Sequence, residues 1–335
     1  MNRNASLDSL RTLSALLVVI LHIASGYVLQ GIYTANFDSH FQLANYVDAF
    51  TRICVPLFVM LSGRFVLAKA IPWQDAMRNL FSRIIVPLLF WNLLYFIYTL
   101  LANYYSYGNT QWESVLTYTS TGQAFYHLWY LTMSVGLYLV APYLAKRLQT
   151  MSLTQAATLS AAFITIGMLI DFSENYFHYK LFFALNFVKY LGYFLAAFVL
   201  KDIRKIPALL LLAIYFIASI AIAKTASITV LHGGNLYSYD YLSPLVVIAS
   251  LAIFKLFLQV ELTANFFSNF APLTFGIYLV HAMPLDILNR YLDKHPYEIF
   301  QHSLIGMSLQ LVLLLPLSYL IVILLRRIPF LEKMI

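Results

Sequence analysis

"LDSLRTLSALLVVILHIASGY", residues 7–27, decides the fold. The stretch is apolar over about 20 residues, the length that crosses a bilayer as a helix. It carries Asp8 and Arg11 at one end and His22 deep inside. Arg11 and His22 are eleven positions apart; at helical pitch this brings them back to within about 20° of one face, with a rise of roughly 16 Å. Arg11 is thus expected near one membrane boundary and His22 near mid-depth, about half the hydrocarbon thickness away. Ser14, Val18, Ser25 and Gly26 fall on or near the same stripe, whereas Leu13, Leu16, Leu17 and Ile20 point elsewhere. An ionisable side chain inside a span is costly, which makes His22 a functional candidate; the competing reading is a neutral histidine bonded to a neighbouring helix.

The rest of the chain agrees with a membrane reading. Of 335 residues, 61% are hydrophobic and only 10% charged, against about 25% charged in an ordinary soluble domain. The 25 Tyr and 26 Phe suit extensive interfacial surface. The one cysteine, Cys54, excludes an intrachain disulfide and a Cys-based metal cage and reads as a small buried hydrophobe. A net charge of +7 is read as Lys and Arg retained on the cytoplasmic side rather than as a nucleic-acid partner. The first apolar run lacks an A-x-A type cleavage site, so no removable signal peptide is expected.

Ten apolar segments reach spanning length, at about 10–30, 46–66, 80–102, 126–145, 153–171, 181–200, 206–224, 241–259, 270–289 and 303–325. The expectation is an all-α polytopic membrane protein of about ten helices, residues 1–335 forming one domain. Segments 30–45 and 103–125 contain no Lys or Arg, whereas the alternate connections hold Arg64, Lys69, Arg78, Arg83, Lys146, Arg147, Lys201, Arg204, Lys205, Arg326 and Arg327. This asymmetry predicts that both termini are cytoplasmic.

Beyond the first span, an ordered set of motifs resembles acyltransferase family 3, membrane proteins that O-acylate sugars and other hydroxyl compounds. "LDSLR" at 7–11 and the Arg11-x10-His22 spacing resemble its opening. "VPLFVMLSGRFVL" at 55–67 resembles its Phe-rich second span, and "RNLFSRIIVPLLFW" at 78–91 its basic approach to the third. "HLWYL" at 127–131 with "LYLVAPYL" at 137–144, then "FGIYLVH" at 275–281, complete the series. Where many members carry an acidic run after His-Leu-Trp, residues 132–138 read "TMSVGLY" without an acid. The resemblance is therefore to the shorter branch that modifies lipid-linked or surface polysaccharides.

The resemblance implies transfer of an acyl group, expected to be acetyl, from cytoplasmic acyl-CoA (acetyl-CoA) to a hydroxyl of an extracytoplasmic or lipid-linked carbohydrate, in a cytoplasmic (inner) membrane and without a metal. A hydroxyl needs a base as it attacks, and imidazole is suited to that task. His22 and Arg11 are the expected catalytic pair, His22 acting as base or as a transient acyl carrier. Arg64, Arg78, Arg83 and Ser62 are expected at the phosphate-bearing acyl-CoA, because guanidinium groups pair with phosphate oxygens. Asp8 is expected to pair with Arg11 at i,i+3. Arg52 either pairs with Asp48 or lines the acceptor's approach. Trp129 and Tyr130 are an aromatic belt pair or a platform for a sugar ring; His127 and His281 are packing residues or part of the site. The remaining histidines show no metal spacing. The rival reading is a transporter in which Arg11 and His22 form a polar relay, with prolines at 56, 87, 142, 244, 272, 284 and 316 breaking its helices.

Overall fold

The computed structural model describes residues 4–121 and 123–335. The chain is an all-α membrane protein; among the described residues no strand occurs. The helices are α1 (Ala5–Tyr33), α2 (Ser39–Thr51), α3 (Cys54–Val66), α4 (Trp73–Leu80), α5 (Val86–Tyr107), α6 (Trp112–Ser120), α7 (Trp129–Leu148), α8 (Leu153–Tyr176) and α9 (Phe187–Val199). They continue as α10 (Ala208–Leu231), α11 (Pro244–Gln259), α12 (Phe266–Phe270), α13 (Thr274–Val280), α14 (Ala282–Lys294), α15 (Glu298–Gln301), α16 (Ser303–Arg326) and α17 (Pro329–Glu332).

Among the described residues, eight stretches are helical, long and apolar enough to cross a membrane: α1, α2–α3, α4–α5, the stretch Tyr126–Leu148 ending α7, α8, α10, the stretch Tyr237–Gln259 containing α11, and α16. The expected span at 270–289 is a pair of helical pieces, Phe266–Val280 and Ala282–Lys294, bent by 47°. The expected span at 181–200 is the shorter apolar stretch Phe183–Val199. Nearly all of its residues from Lys189 onward are buried, so its length is matched to surrounding helices rather than to lipid. Several helices outrun their apolar windows: α1 begins at Ala5, and α5 continues to Tyr107. The expected long connection after residue 102 contains the helix α6.

Local chemistry sets the ends. Asn4 caps α1 by accepting from the Leu7 amide at 3.0 Å. Asp38 caps α2 through the His40 and Phe41 amides, which hold its carboxyl below the usual range. Ser152 and Gln155 form a reciprocal capping box at α8. Gly108, at φ 70°, closes α5 in the left-handed conformation that costs glycine little.

Prolines dictate the interior breaks. A proline removes one amide donor and crowds the carbonyl four residues back. Pro56 does this to Arg52, and α2 gives way to α3 at Arg52–Ile53. Pro87 does it to Arg83, which lies in a π-helical turn at Phe81–Ile85. Pro284 does it to Val280, and the 47° bend falls there, at His281. Three ionisable candidate residues thus sit where the helical ladder is interrupted.

Burial sorts the helices into inner and outer sets. In the apolar window of α2–α3, 61% is buried, against 17% in α8. α1 packs on α2, α3, α12 and α16; α3 packs on α9, and α8 on α9. On α5, Leu89, Leu93, Ile97 and Leu101 are exposed at steps of four, a stripe suited to lipid. Close approaches use glycine: a Cβ on Gly63 of α3 would sit 2.1 Å from the Phe194 carbonyl oxygen of α9.

Candidate active site

His22 is half-buried on α1, held between two other rings. His281 stacks on it with centroids 5.4 Å apart and planes 19° from parallel. Tyr126 meets it edge-on at 4.8 Å. Tyr126 itself is 45% exposed. His127 approaches His281 at 5.4 Å, in a T-shaped contact. Three histidines from α1, the turn before α7 and the α13–α14 bend therefore form one cluster.

The bend explains the cluster's hydrogen bonding. The Leu279 carbonyl, next to the interrupted ladder, accepts from Tyr95 Oη at 2.8 Å and faces His127 Nε2 at 3.3 Å. His281 Nδ1 lies 2.7 Å from the Tyr278 carbonyl oxygen. A ring nitrogen facing a carbonyl must carry the proton. In the neutral rings this leaves lone pairs on His281 Nε2 and His127 Nδ1. Both atoms are buried and lack a hydrogen-bond partner among the described residues. Buried unsatisfied polar atoms are rare in folded proteins, and two in one cluster mark a site for a ligand or water. Tyr278 Oη donates to the His127 carbonyl, fixing the turn that presents the ring.

On the Arg11 side of the cluster lies a second polar group. The Arg11 guanidinium sits over the Phe65 ring at 5.0 Å. Ser62 lies beside Tyr130 and Tyr138, and Arg11 is near both tyrosines. Arg83 is near Tyr138 as well. Tyr130 contacts Tyr278 at 5.8 Å, and Tyr278 contacts His281 at 6.2 Å. A chain of polar rings thus joins the Arg11 neighbourhood to the histidines. Arg64 is half-buried on α3, with its Nε buried and unpartnered among the described residues.

Arg52 takes the first of its two expected roles. Its Nε is 2.5 Å from Asp48 Oδ1, and its guanidinium lies 4.2 Å from the Tyr239 ring centroid. Ser25 Oγ donates to the other Asp48 oxygen at 2.8 Å, tying the pair to α1 one turn beyond His22. Asp8 lies in the first turn of α1, where a carboxylate complements the helix dipole. Arg78 is exposed in the last turn of α4. Gly26, expected near the inner stripe, is exposed, and a Cβ there would meet nothing within 4 Å; it lies past the arc that the neighbouring helices cover. Ser14 and Val18 are buried as expected, and so is Cys54.

Tyr126, Tyr278 and Tyr95 join the site without a signal in the sequence, since spacing does not distinguish them from the many other tyrosines. Asp171 and Lys189, charged residues within apolar segments, carry the same sequence signal as His22. Among the described residues, no group of three or more His, Cys, Asp or Glu is arranged to hold a metal ion.

A polytopic helical protein with a buried histidine cluster at a broken span is the class that this geometry defines. The acyltransferase domain family matches the chain over residues 4–327. The chain belongs to acyltransferase family 3 and is a membrane acyltransferase. No curated protein and no solved structure matches it.

Proposed function

We propose that this acyltransferase moves an acetyl group from cytoplasmic acetyl-CoA to a hydroxyl of an extracytoplasmic or lipid-linked carbohydrate, with His22 as the base. Residues 1–335 form its single domain, both termini are cytoplasmic, and the membrane is the cytoplasmic one. The observation that carries this reading is the placement of His22: half-buried beside Tyr126 and His281 in one direction, and on the same helix face as Arg11 in the other.

The acceptor O–H gives its proton to an unprotonated nitrogen of His22 as the oxygen attacks the thioester carbonyl carbon. An O–C bond forms, the C–S bond breaks, and the imidazolium returns the proton to the departing thiolate. Arg11, with Ser62, Tyr130 and Tyr138 around it, steadies the donor's pantetheine arm roughly 16 Å short of His22, so that the thioester reaches the base. Arg83 and Arg64 take phosphates, since paired N–H donors suit them. Asp8 steadies the start of α1. His281 and His127 keep the base in place and supply acceptors toward the incoming hydroxyl. Arg52 shapes the far wall through Asp48 and Ser25.

The test is acyl transfer by the purified chain from radiolabelled acetyl-CoA to membrane glycolipid. His22→Ala is expected to lower transfer by about 10²–10⁴-fold, the usual worth of a positioned base, while coenzyme A still raises the unfolding temperature. Undiminished transfer in that variant would remove the mechanism. Absence of any coenzyme A stabilisation in the wild-type chain would favour a carrier.

A further inference from the structure

A cavity of about 280 Å³ lies apart from the histidine cluster, between the end of α8, the start of α9, the segment leading into α11 and the start of α7. Its lining includes Trp129, Asp171, Glu174, Asn175, Lys189 and Asp240. Three carboxyl groups and one ammonium thus share a space near the lower end of the size range for small-molecule sites. Lys189 Nζ is committed to Glu174 Oε2 at 2.6 Å and to Asp171 Oδ1 at 3.4 Å. Asn175 Nδ2 is committed to Asp240 Oδ2 at 2.5 Å.

One polar atom is left over. Asp171 is 7% exposed, and its Oδ2 is buried without a hydrogen-bond partner among the described residues. The side chain that carries this oxygen lines the cavity, and a buried acceptor is costly unless something donates to it. Trp129 supplies a different kind of wall: its indole stacks on Tyr241 at 5.8 Å, with planes 23° apart, and borders the cavity. Carboxyl oxygens that accept hydroxyl protons, beside a braced aromatic ring, match a ring-shaped polyol with one apolar face. An anionic ligand would meet carboxyl groups and a cation already occupied, an arrangement that repels rather than recruits it.

We propose that this cavity is the acceptor subsite and that it takes a neutral, hydroxyl-rich pyranose ring, discriminating against sugars that carry a negative charge. The proposal rests on the acyltransferase reading above. The connection to the histidines is covalent and short. His127 touches His281, Tyr130 touches Tyr278, and Trp129 between them faces the cavity. The same turn therefore presents one side to the histidine cluster and the other to the bound ring.

The test uses the full chain in detergent and reads saturable tryptophan-fluorescence changes with methyl glycosides. The neutral probes are the methyl pyranosides of glucose, galactose, mannose and rhamnose; the anionic ones are methyl glucuronide and methyl galacturonide. At least one neutral probe is expected to bind about tenfold more tightly than either anionic one, the scale of one charged hydrogen bond. Asp171→Asn is expected to weaken that binding about tenfold and to raise the acceptor KM more than the acetyl-CoA KM, with coenzyme A stabilisation as the folding control. Equal binding of neutral and anionic probes, or no saturable binding of any probe, overturns the proposal. So does an Asp171→Asn variant whose only defect is lower stability, the signature of a structural ion pair. Neutral-sugar binding in a chain that transfers no acyl group would count against the enzyme reading while leaving the sugar site standing.

Discussion

His22 and His281 stack face to face at 5.4 Å, though one comes from the first helix and the other from the last quarter of the chain. The stack turns the unpartnered His281 Nε2 into part of the His22 environment. Retaining a buried acceptor without a donor costs about 1–3 kcal/mol, so a site that keeps one has a use for it. Replacing His281 by Phe keeps a ring for stacking and removes both nitrogens. Transfer activity is expected to fall at least about tenfold, while the unfolding midpoint in detergent moves by only a few degrees, because the orphan acceptor disappears together with the bond to the Tyr278 carbonyl. Activity assay and thermal unfolding on one preparation check both halves.

The α13–α14 bend gives a sharper prediction. Pro284 interrupts the ladder next to His281, and Tyr95 and His127 take up the Leu279 carbonyl. Pro284→Ala restores an amide donor and lets the helix straighten. The expected outcome is a chain at least as stable as the wild type, with transfer reduced because His281 is re-aimed away from His22. A variant with unchanged turnover would show that the bend does not position the histidine.

Much of this arrangement was legible in the sequence, and the limit has a physical origin. Arg11 and His22 share one helix, so fixed pitch relates them without any tertiary knowledge. His22 and His281 are related only by packing, which no local periodicity encodes. The breaks stand between these cases: the i−4 offset from prolines 56, 87 and 284 is fixed by the sequence, but whether the chain answers with a helix break, a π-helical turn or a 47° bend depends on packing. The α8–α9 cavity is not legible in the same way: Asp171 and Lys189 each stand in a different apolar stretch, and only packing brings them together.

Asp48 and Arg52 form a pair in which the carboxylate is fully buried and the guanidinium mostly so. Removing one partner strands the other charge. Asp48→Ala is therefore expected to destabilise the chain by about 3–5 kcal/mol, whereas the double change Asp48→Ala with Arg52→Met recovers most of that loss. Chemical unfolding of both variants and of Arg52→Met alone completes the cycle. A double variant no more stable than Asp48→Ala would mean that the stranded charge is not the cause.

A close backbone contact between α3 and α9 tests how Ser62 and Arg64 are held. Gly63 lies between them on α3, and its place against α9 leaves no room for a side chain: an added Cβ would be 2.1 Å from the Phe194 carbonyl oxygen, a backbone atom that no rotamer change can move. Gly63→Ala must therefore push α3 off α9, carrying Ser62 away from Tyr130 and Tyr138. Overpacking of this kind costs typically 1–3 kcal/mol. The expected phenotype is a lower unfolding midpoint together with a raised acetyl-CoA KM, because the displaced residues are those assigned to the donor. Gly26→Ala is the matched control: its Cβ meets nothing within 4 Å, and alanine is the better helix former by roughly 1 kcal/mol, so that variant should be no less stable than the wild type. Thermal unfolding and donor titration of the two variants side by side separate a clash at one interface from a general intolerance of α-helical glycine replacement.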